Sequence, residues 1–172
     1  MSDYDLYYWS VPFRGQFVRA VLAYAGKTWT EEGDIAISKL MGGAVKNMPV
    51  PFMGPPVLID RKADFAIAEM PAIILYLGET LDLMPETPAL RALTMKIVND
   101  ANDVIDDITL DGGREMWTEK RWDAFVPRLT SDFFNTINPI RTCQRNAGYP
   151  VALWRRCADS EGAENYTFAT AL

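Results

Sequence analysis

Residues 4–32 read YDLYYWSVPFRGQFVRAVLAYAGKTWTEE and decide the fold, because they predict a strand, a helix and a second strand in close succession. Residues 4–9 are rich in aromatic side chains, which is typical of a short strand. Apolar side chains then recur at helical spacing and end before Gly26, a common stop residue. They are Phe17, Val18, Val21, Leu22 and Ala25. Residues 28–32 alternate like another strand, so the chain begins with a β-α-β unit.

The following segment predicts two more strands and a helix. Residues 35–55 contain three glycines and three prolines without a sustained period, which predicts a short irregular helix and a loop. Residues 57–68 form a hairpin pattern, with two apolar runs around a polar turn. A helix then begins at Pro71 and ends near Gly78. The first part of the chain therefore predicts a mixed four-stranded sheet in the order βαβ-ββα.

The pattern changes to helices after residue 88. Apolar side chains step by three or four positions until Gly112 and Gly113 close the run. They are Leu90, Leu93, Ile97, Ala101, Val104 and Ile108. A second helix is predicted over 119–137, where Pro127 must kink the helix or start it afresh. Residues 138–172 show no clear period.

These patterns predict two small domains. Residues 1–79 form an α/β domain, residues 80–88 form a linker with two prolines, and residues 89–172 form an all-helical domain. A chain of 172 residues is long enough for one ordinary domain or for two small ones that share an interface.

Composition excludes several classes of function. With 17 Lys and Arg against 23 Asp and Glu, the net charge of −6 argues against a nucleic-acid partner. The chain has no His, which removes Ser-His and Cys-His nucleophiles and His-zinc sites. Cys143 and Cys157 are too far apart for a CxxC pair and too few for a zinc site, so we expect no metal and a reducing, cytoplasmic compartment. No apolar run is long enough to cross a membrane.

Five segments, in this order, resemble the glutathione S-transferase family, especially its tyrosine-type, pi- and sigma-like members. The resemblance covers residues 4 to 137, and its segments are LYYWSVPFRGQ, KTWTEE, GPPVLID, AIAEMPAIILYLGETL and IVNDANDVIDD. It implies a thioredoxin-like domain followed by a helical domain, here shortened. It also implies a homodimer in which the thiolate of bound glutathione attacks a small hydrophobic electrophile.

The resemblance assigns thiol activation to Tyr8. A free thiol has a pKa of about 8.5, so the protein must stabilise the thiolate, and a neutral Tyr hydroxyl beside a helix N-terminus can do so. Ser10 is the alternative, since other branches of the family use a serine in this turn; otherwise it caps the helix. Tyr7 should point to the opposite face of the strand.

The resemblance also assigns glutathione contacts. Pro56 matches the family's cis proline, and Pro55 before it lacks the N–H that would bind the cysteinyl backbone. Glu69 and Met70 occupy the position that holds the γ-glutamyl end, although Met70 lacks the usual hydroxyl. The remaining candidates are Trp9, Arg14, Lys39 and Lys46. The lysines would meet the glycine carboxylate, but either is equally well a solvated surface residue, and Arg14 has a structural role at the start of the helix.

Two further residues are implied at a dimer interface. Asp103, with Asp100 nearby, matches an aspartate that reaches the glutathione amino group of the partner subunit; a solvated acidic face explains the same residues. Phe52 resembles the aromatic residue that enters the partner in dimeric members; otherwise it covers the sheet edge.

Two other functions are weighed against the transferase. A non-catalytic glutathione-binding or structural module explains Pro55, Met70 and the shortened helical domain. A thiol-disulfide oxidoreductase is disfavoured, since residues 10–13 read SVPF without a cysteine. The electrophile cannot be named from the sequence, and isomerase or peroxidase chemistry stays open.

Overall fold

The computed structural model describes residues 1–110 and 115–127. The second half of the helix predicted over 119–137, and all of 138–172, lie outside the described residues. The chain divides into two compact units, Met1–Met116 and Trp117–Leu172.

The first unit contains the predicted mixed sheet of four strands. The strands are β1 (Tyr4–Tyr7), β2 (Trp29–Glu32), β3 (Val57–Asp60) and β4 (Phe65–Ala68). Their order in the sheet is β2-β1-β3-β4, with β1 and β2 parallel and the other pairs antiparallel. The prediction of a mixed sheet from a β-α-β unit and a hairpin is confirmed.

The helices follow the predicted periods closely. They are α1 (Phe13–Tyr24), α2 (Asp34–Met41), α3 (Met70–Thr80) and α4 (Pro88–Ile108), with a 3₁₀ turn at Val45–Asn47. The hydroxyl of Thr87 accepts a hydrogen bond from the N–H of Leu90 at 3.4 Å and caps α4. The first strand is shorter than the expected 4–9, because the chain leaves the sheet after Tyr7.

The core lies between the sheet and the helices α1 and α3. Alternate residues of β1 point into it, and α1 and α3 each supply two residues one turn apart. The fully buried aliphatic side chains of this cluster are Leu6, Val18, Leu22, Leu58, Ile73 and Leu77. Burying each contributes about 1.5–3 kcal/mol, so this cluster fixes the position of α1 on the sheet.

In the first unit, α4 packs against α3 and α1. Arg91 of α4 pairs with Glu79 of α3 and donates to the carbonyl of Pro85 at 3.2 Å. In the second unit, residues 119–127 are helical, as expected for the start of the predicted helix, and Trp117, Trp122 and Phe125 form an aromatic cluster. The predicted domain boundary at 80–88 stays a prediction.

Candidate functional site

The strand register brings three segments together at one end of the sheet. Tyr7, the last residue of β1, lies opposite Val57, and Val57 lies opposite Ala68. The residues just beyond these three are Tyr8, Pro56 and Glu69. The Glu69 N–H donates to the carbonyl of Pro56 at 3.2 Å, which holds the last two of them together. Three residues that are far apart in the sequence therefore lie at the same end of the sheet.

Tyr8 lies at the N-terminus of α1. Its N–H donates to the carbonyl of Glu32 at 3.3 Å, and its hydroxyl oxygen accepts a hydrogen bond from the Arg14 N–H at 3.1 Å. Burial raises the pKa of Tyr8, while the amides of Arg14 and Gly15 and the positive charges of Arg14 and Arg19 partly offset that rise. The phenol is therefore neutral at pH 7 and keeps its own proton free to donate.

An open cleft of about 610 Å³ lies beside Tyr8. It is lined by Tyr8, Trp9, Ser10, Val11, Pro12, Gln16, Arg19, Glu31 and Gly33. The lining combines apolar side chains of the β1–α1 loop with the charged pair of Arg19 and Glu31. The cleft can hold an extended molecule with both apolar and polar groups.

Ser10 is exposed in the β1–α1 loop. Its backbone N–H donates to the Asp34 carboxylate at 2.8 Å, at the start of α2. Both Tyr8 and Ser10 line the cleft, but only the Tyr8 hydroxyl receives a hydrogen bond from the N-terminus of α1. The choice between Tyr8 and Ser10 as the thiol-activating group stays a prediction.

Arg19 and Glu31 form an ion pair that the sequence did not reveal. The Arg19 Nε lies 2.7 Å from Glu31 Oε1, and Nη2 lies 3.0 Å from Oε2. Burial alone would raise the pKa of Glu31, but hydrogen bonds from Arg19 and from the Trp29 indole outweigh burial, so the pKa lies below its usual value. The two residues come from α1 and β2, so only the crossing of these elements brings them together.

The loop before β3 contains the cis Pro55–Pro56 peptide bond, at the position that the resemblance predicted. Pro55 offers no N–H to a ligand. Glu69 is exposed with a φ of +72°, a backbone conformation that side chains other than glycine rarely adopt. Met70 is 1% exposed and packs in the core, so its side chain is not available to a ligand.

The other candidate residues lie apart from the cleft. Lys39 on the last turn of α2 and Lys46 in the 3₁₀ turn are exposed, and Phe52 is half-buried in the loop before β3. None of the three lines the cleft that the structure describes. The same is true of Pro55, Pro56, Glu69 and Met70, so of the candidate residues only Tyr8, Trp9 and Ser10 line it.

The charged residues on and beside α4 have different partners. Arg14 donates to Asn102 at 2.9 Å and pairs with Asp106, so α4 occupies its guanidinium. Asp100 pairs with Lys96 one turn away, and Asp103 is exposed. Arg14 therefore links α1 to α4, and the parts of Arg14 and Asp103 in glutathione binding stay predictions.

Two general findings apply to the described residues. Within 1–110 and 115–127, no group of three metal-ligating side chains could hold a metal ion. In the same part of the chain, no helix is both long and apolar enough to cross a membrane.

Comparisons with known proteins agree with this geometry. Residues 93–152 match the family model described as "Glutathione S-transferase, C-terminal domain". None of the curated proteins matches the chain significantly. Among solved structures, a nematode-specific transferase of Caenorhabditis elegans aligns with a TM-score of 0.57 and 18% identity, over 78% of this chain and 66% of its own.

Two other solved structures align similarly. The glutathione S-transferase of Ascaris lumbricoides gives a TM-score of 0.52 and 20% identity, over 74% of this chain and 65% of its own. Na-GST-3 of the hookworm Necator americanus, described as monomeric, gives a TM-score of 0.57 and 19% identity, over 77% of this chain and 64% of its own. The chain thus spans just under two thirds of the length of these structures, and at such identities the likeness shows the fold.

Proposed function

We propose that the chain is a glutathione S-transferase that binds glutathione and transfers the thiolate to a small hydrophobic electrophile; the family-model match over residues 93–152 and the shared fold support this proposal. One observation carries this proposal: the strand register gathers Tyr8, Pro56 and Glu69 at one end of the sheet, with the Tyr8 hydroxyl at the N-terminus of α1. A thiol bound there would meet a hydroxyl donor and the positive end of a helix.

Tyr8 is the proposed thiol activator. The Arg14 N–H occupies a lone pair of the phenolic oxygen, so the phenolic proton is left to point at the sulfur. A hydrogen bond to a thiolate favours the charged form and lowers the thiol pKa. Each unit of that lowering corresponds to about 1.4 kcal/mol and raises the thiolate fraction tenfold while the thiol is mostly protonated.

The ends of the tripeptide are proposed to bind on either side of Tyr8. The exposed Glu69 carboxylate would pair with the γ-glutamyl ammonium, and the Met70 amide, at the start of α3, would meet the neighbouring carboxylate. Lys39 or Lys46 would meet the glycine carboxylate. Asp103 would serve the partner subunit's glutathione.

The proposed form is a cytoplasmic homodimer, with Phe52 as a contact, acting in detoxification of apolar electrophiles. The homodimer needs its own test, because one protein of the same fold, Na-GST-3, is described as monomeric. Sedimentation equilibrium of the wild type and of Phe52→Ala would give the mass directly. A lower mass in the variant alone supports the contact.

A non-catalytic glutathione-binding module is the second candidate. Pro55 cannot donate the backbone hydrogen bond expected beside the cis proline, and Met70 has no hydroxyl for the γ-glutamyl carboxylate. Both differences weaken glutathione binding relative to the family pattern. Binding without conjugation across a panel of electrophiles would favour this module.

The test combines binding with thiol titration. Isothermal calorimetry measures the glutathione Kd, and ultraviolet thiolate absorbance against pH measures the pKa of the bound thiol. We expect a depressed thiol pKa in the wild type that reverts in Tyr8→Phe, with kcat about 10- to 1000-fold lower and little change in Kd.

Ser10→Ala is the matched control, because it removes a second cleft hydroxyl from the same loop. An unchanged rate in Tyr8→Phe together with loss in Ser10→Ala would transfer the role to Ser10. Failure of the wild type to bind millimolar glutathione would reject the transferase site altogether.

A further inference from the structure

We propose that Arg19, held by Glu31, is a positioning residue that fixes the β1–α1 loop against Tyr8. This inference rests on the proposed function only for its catalytic consequence. The observation that carries it is the set of contacts made by one guanidinium. Its nitrogens bind a carboxylate on β2 and two carbonyls of the loop, and its carbon lies 5.8 Å from the centre of the Tyr8 ring.

The contacts to the loop are short enough to fix its backbone. Nη1 of Arg19 donates to the carbonyl of Val11 at 3.2 Å, and Nη2 donates to the carbonyl of Trp9 at 3.4 Å. These carbonyls lie on either side of Ser10, so a single side chain ties both ends of the turn. The Asp34 carboxylate, which accepts the Ser10 N–H at 2.8 Å, holds the middle of the same turn.

Glu31 orients the guanidinium in this arrangement. Its two oxygens accept from Nε and Nη2, and this bidentate geometry fixes the plane of the Arg19 group. The Trp29 indole donates to Glu31 Oε1 at 2.7 Å and fixes the carboxylate in turn. The Arg19 side chain is 18% exposed and that of Glu31 is 42% exposed, so the pair contributes little to global stability. Its main effect is on the position of the loop.

Charge around Tyr8 gives the inference a second readout. The positive groups that face Tyr8 within the described residues are Arg14 and Arg19, both on α1. Arg14 is paired with Asp106 of α4, and Arg19 with Glu31 of β2. Removing the Arg19 charge therefore leaves the Arg14 contacts in place and moves the pKa of Tyr8 further upward.

The experiment uses the full chain with Arg19→Gln, Arg19→Lys and Glu31→Gln. Arg91→Gln is the matched control, because Arg91 also pairs with a glutamate and donates to a backbone carbonyl, at 3.2 Å, but lies in α4 outside the cleft lining. Each variant is measured for kcat, KM and Tm. The Tyr8 pKa comes from ultraviolet titration without ligand, by difference from the same variant carrying Tyr8→Phe.

We expect Arg19→Gln to lower kcat by about 10- to 100-fold, the scale for displacement of a catalytic group by up to 1 Å. Arg19→Lys keeps the positive charge but lacks the planar set of N–H donors of the guanidinium, so it should recover only part of the rate. Glu31→Gln should fall between Arg19→Lys and the wild type. Arg91→Gln should keep the wild-type kcat, even if Arg91→Gln and Arg19→Gln lower the Tm equally.

The outcomes separate this inference from the proposed function. If the wild type conjugates no electrophile, the proposed function fails, yet a Tyr8 pKa that is raised in Arg19→Lys as well as in Arg19→Gln, and not in Arg91→Gln, still supports positioning, because the lysine keeps the charge. Unchanged kcat and unchanged Tyr8 pKa in a folded Arg19→Gln would overturn the inference. If Arg19→Gln does not fold, the same comparison is made with Glu31→Gln.

Discussion

Gly15→Ala tests whether the position of Tyr8 depends on the first turn of α1. A Cβ added at Gly15 would lie 2.3, 2.6 and 2.9 Å from Cδ1, Cγ and Cε1 of the Tyr8 ring. Non-bonded carbons prefer about 3.5–4.0 Å, so the ring and helix must separate by about 1 Å. The ring cannot bend away, since its hydroxyl is held by the Arg14 N–H and the residue is buried.

The size of the effect follows from two opposing contributions. Overpacking a buried site costs about 1–3 kcal/mol, and replacing glycine by alanine inside a helix returns up to about 1 kcal/mol. We therefore expect the free energy of unfolding to fall by about 1 kcal/mol. A displacement of about 1 Å at the reacting groups lowers kcat/KM by about 100-fold, which far exceeds the change in stability.

Gly78→Ala is the matched control, because Gly78 is also a buried helical glycine. Its added Cβ would meet Cγ and Sδ of Met84 at 2.9 Å, atoms of a flexible side chain that can move. Here the helix contribution dominates, so stability should stay within about 1 kcal/mol of the wild type and activity should not change. Urea unfolding and initial rates with glutathione measure both quantities. A wild-type kcat/KM in Gly15→Ala, or equal behaviour of the two variants, would refute the reasoning.

Two other predictions concern Tyr76 and Glu69. The Tyr76 hydroxyl donates a hydrogen bond to the Asp60 carboxylate at 2.8 Å. Burial and then that carboxylate raise the pKa of Tyr76 to about 12. Because the folded pKa exceeds the unfolded value of 10.0, the stabilisation is present below pH 10 and is lost as the pH rises towards 12. Tyr76→Phe should lack this part of the alkaline loss, and urea unfolding of both proteins from pH 8 to pH 12 measures it. Glu69→Gly and Glu69→Ala should both weaken glutathione binding by about 10- to 100-fold in calorimetry, since each removes a charged partner. With φ at +72°, the glycine variant should be about 1 kcal/mol more stable than the alanine variant; equal stabilities would contradict the strain.

The fold was predictable because its signals are local. The helical period over α1 and α4, the hairpin pattern and the Pro55–Pro56 pair each depend on residues close in sequence, and each appears in the structure. The end of β1 was placed too late, since Tyr8 and Trp9 have strand propensity but the chain leaves the sheet after Tyr7. Propensity alone does not show where the partner strand ends.

The candidate site was predictable only in part. Tyr8, Pro56 and Glu69 each lie next to the end of a strand, so a correct strand order brings them together. The contact of Arg19 with Glu31 depends on how α1 crosses the sheet, and that of Ser10 with Asp34 depends on the path of a loop. Such angles are set by packing between elements, which the sequence pattern does not contain.

The β1–α1 loop shows why those unpredicted contacts matter. Lengthening a loop costs little free energy, but a loop that carries catalytic groups must be held in one conformation. Here three elements hold it. β2 orients Arg19, which binds two carbonyls of the loop, and α2 accepts the Ser10 N–H. α4 binds Arg14 at the start of α1. Each contact restrains a different point of the segment that carries Tyr8. A variant that loses one of them should therefore lose rate before it loses stability, whereas a change in the apolar cluster beneath α1 should reduce stability first.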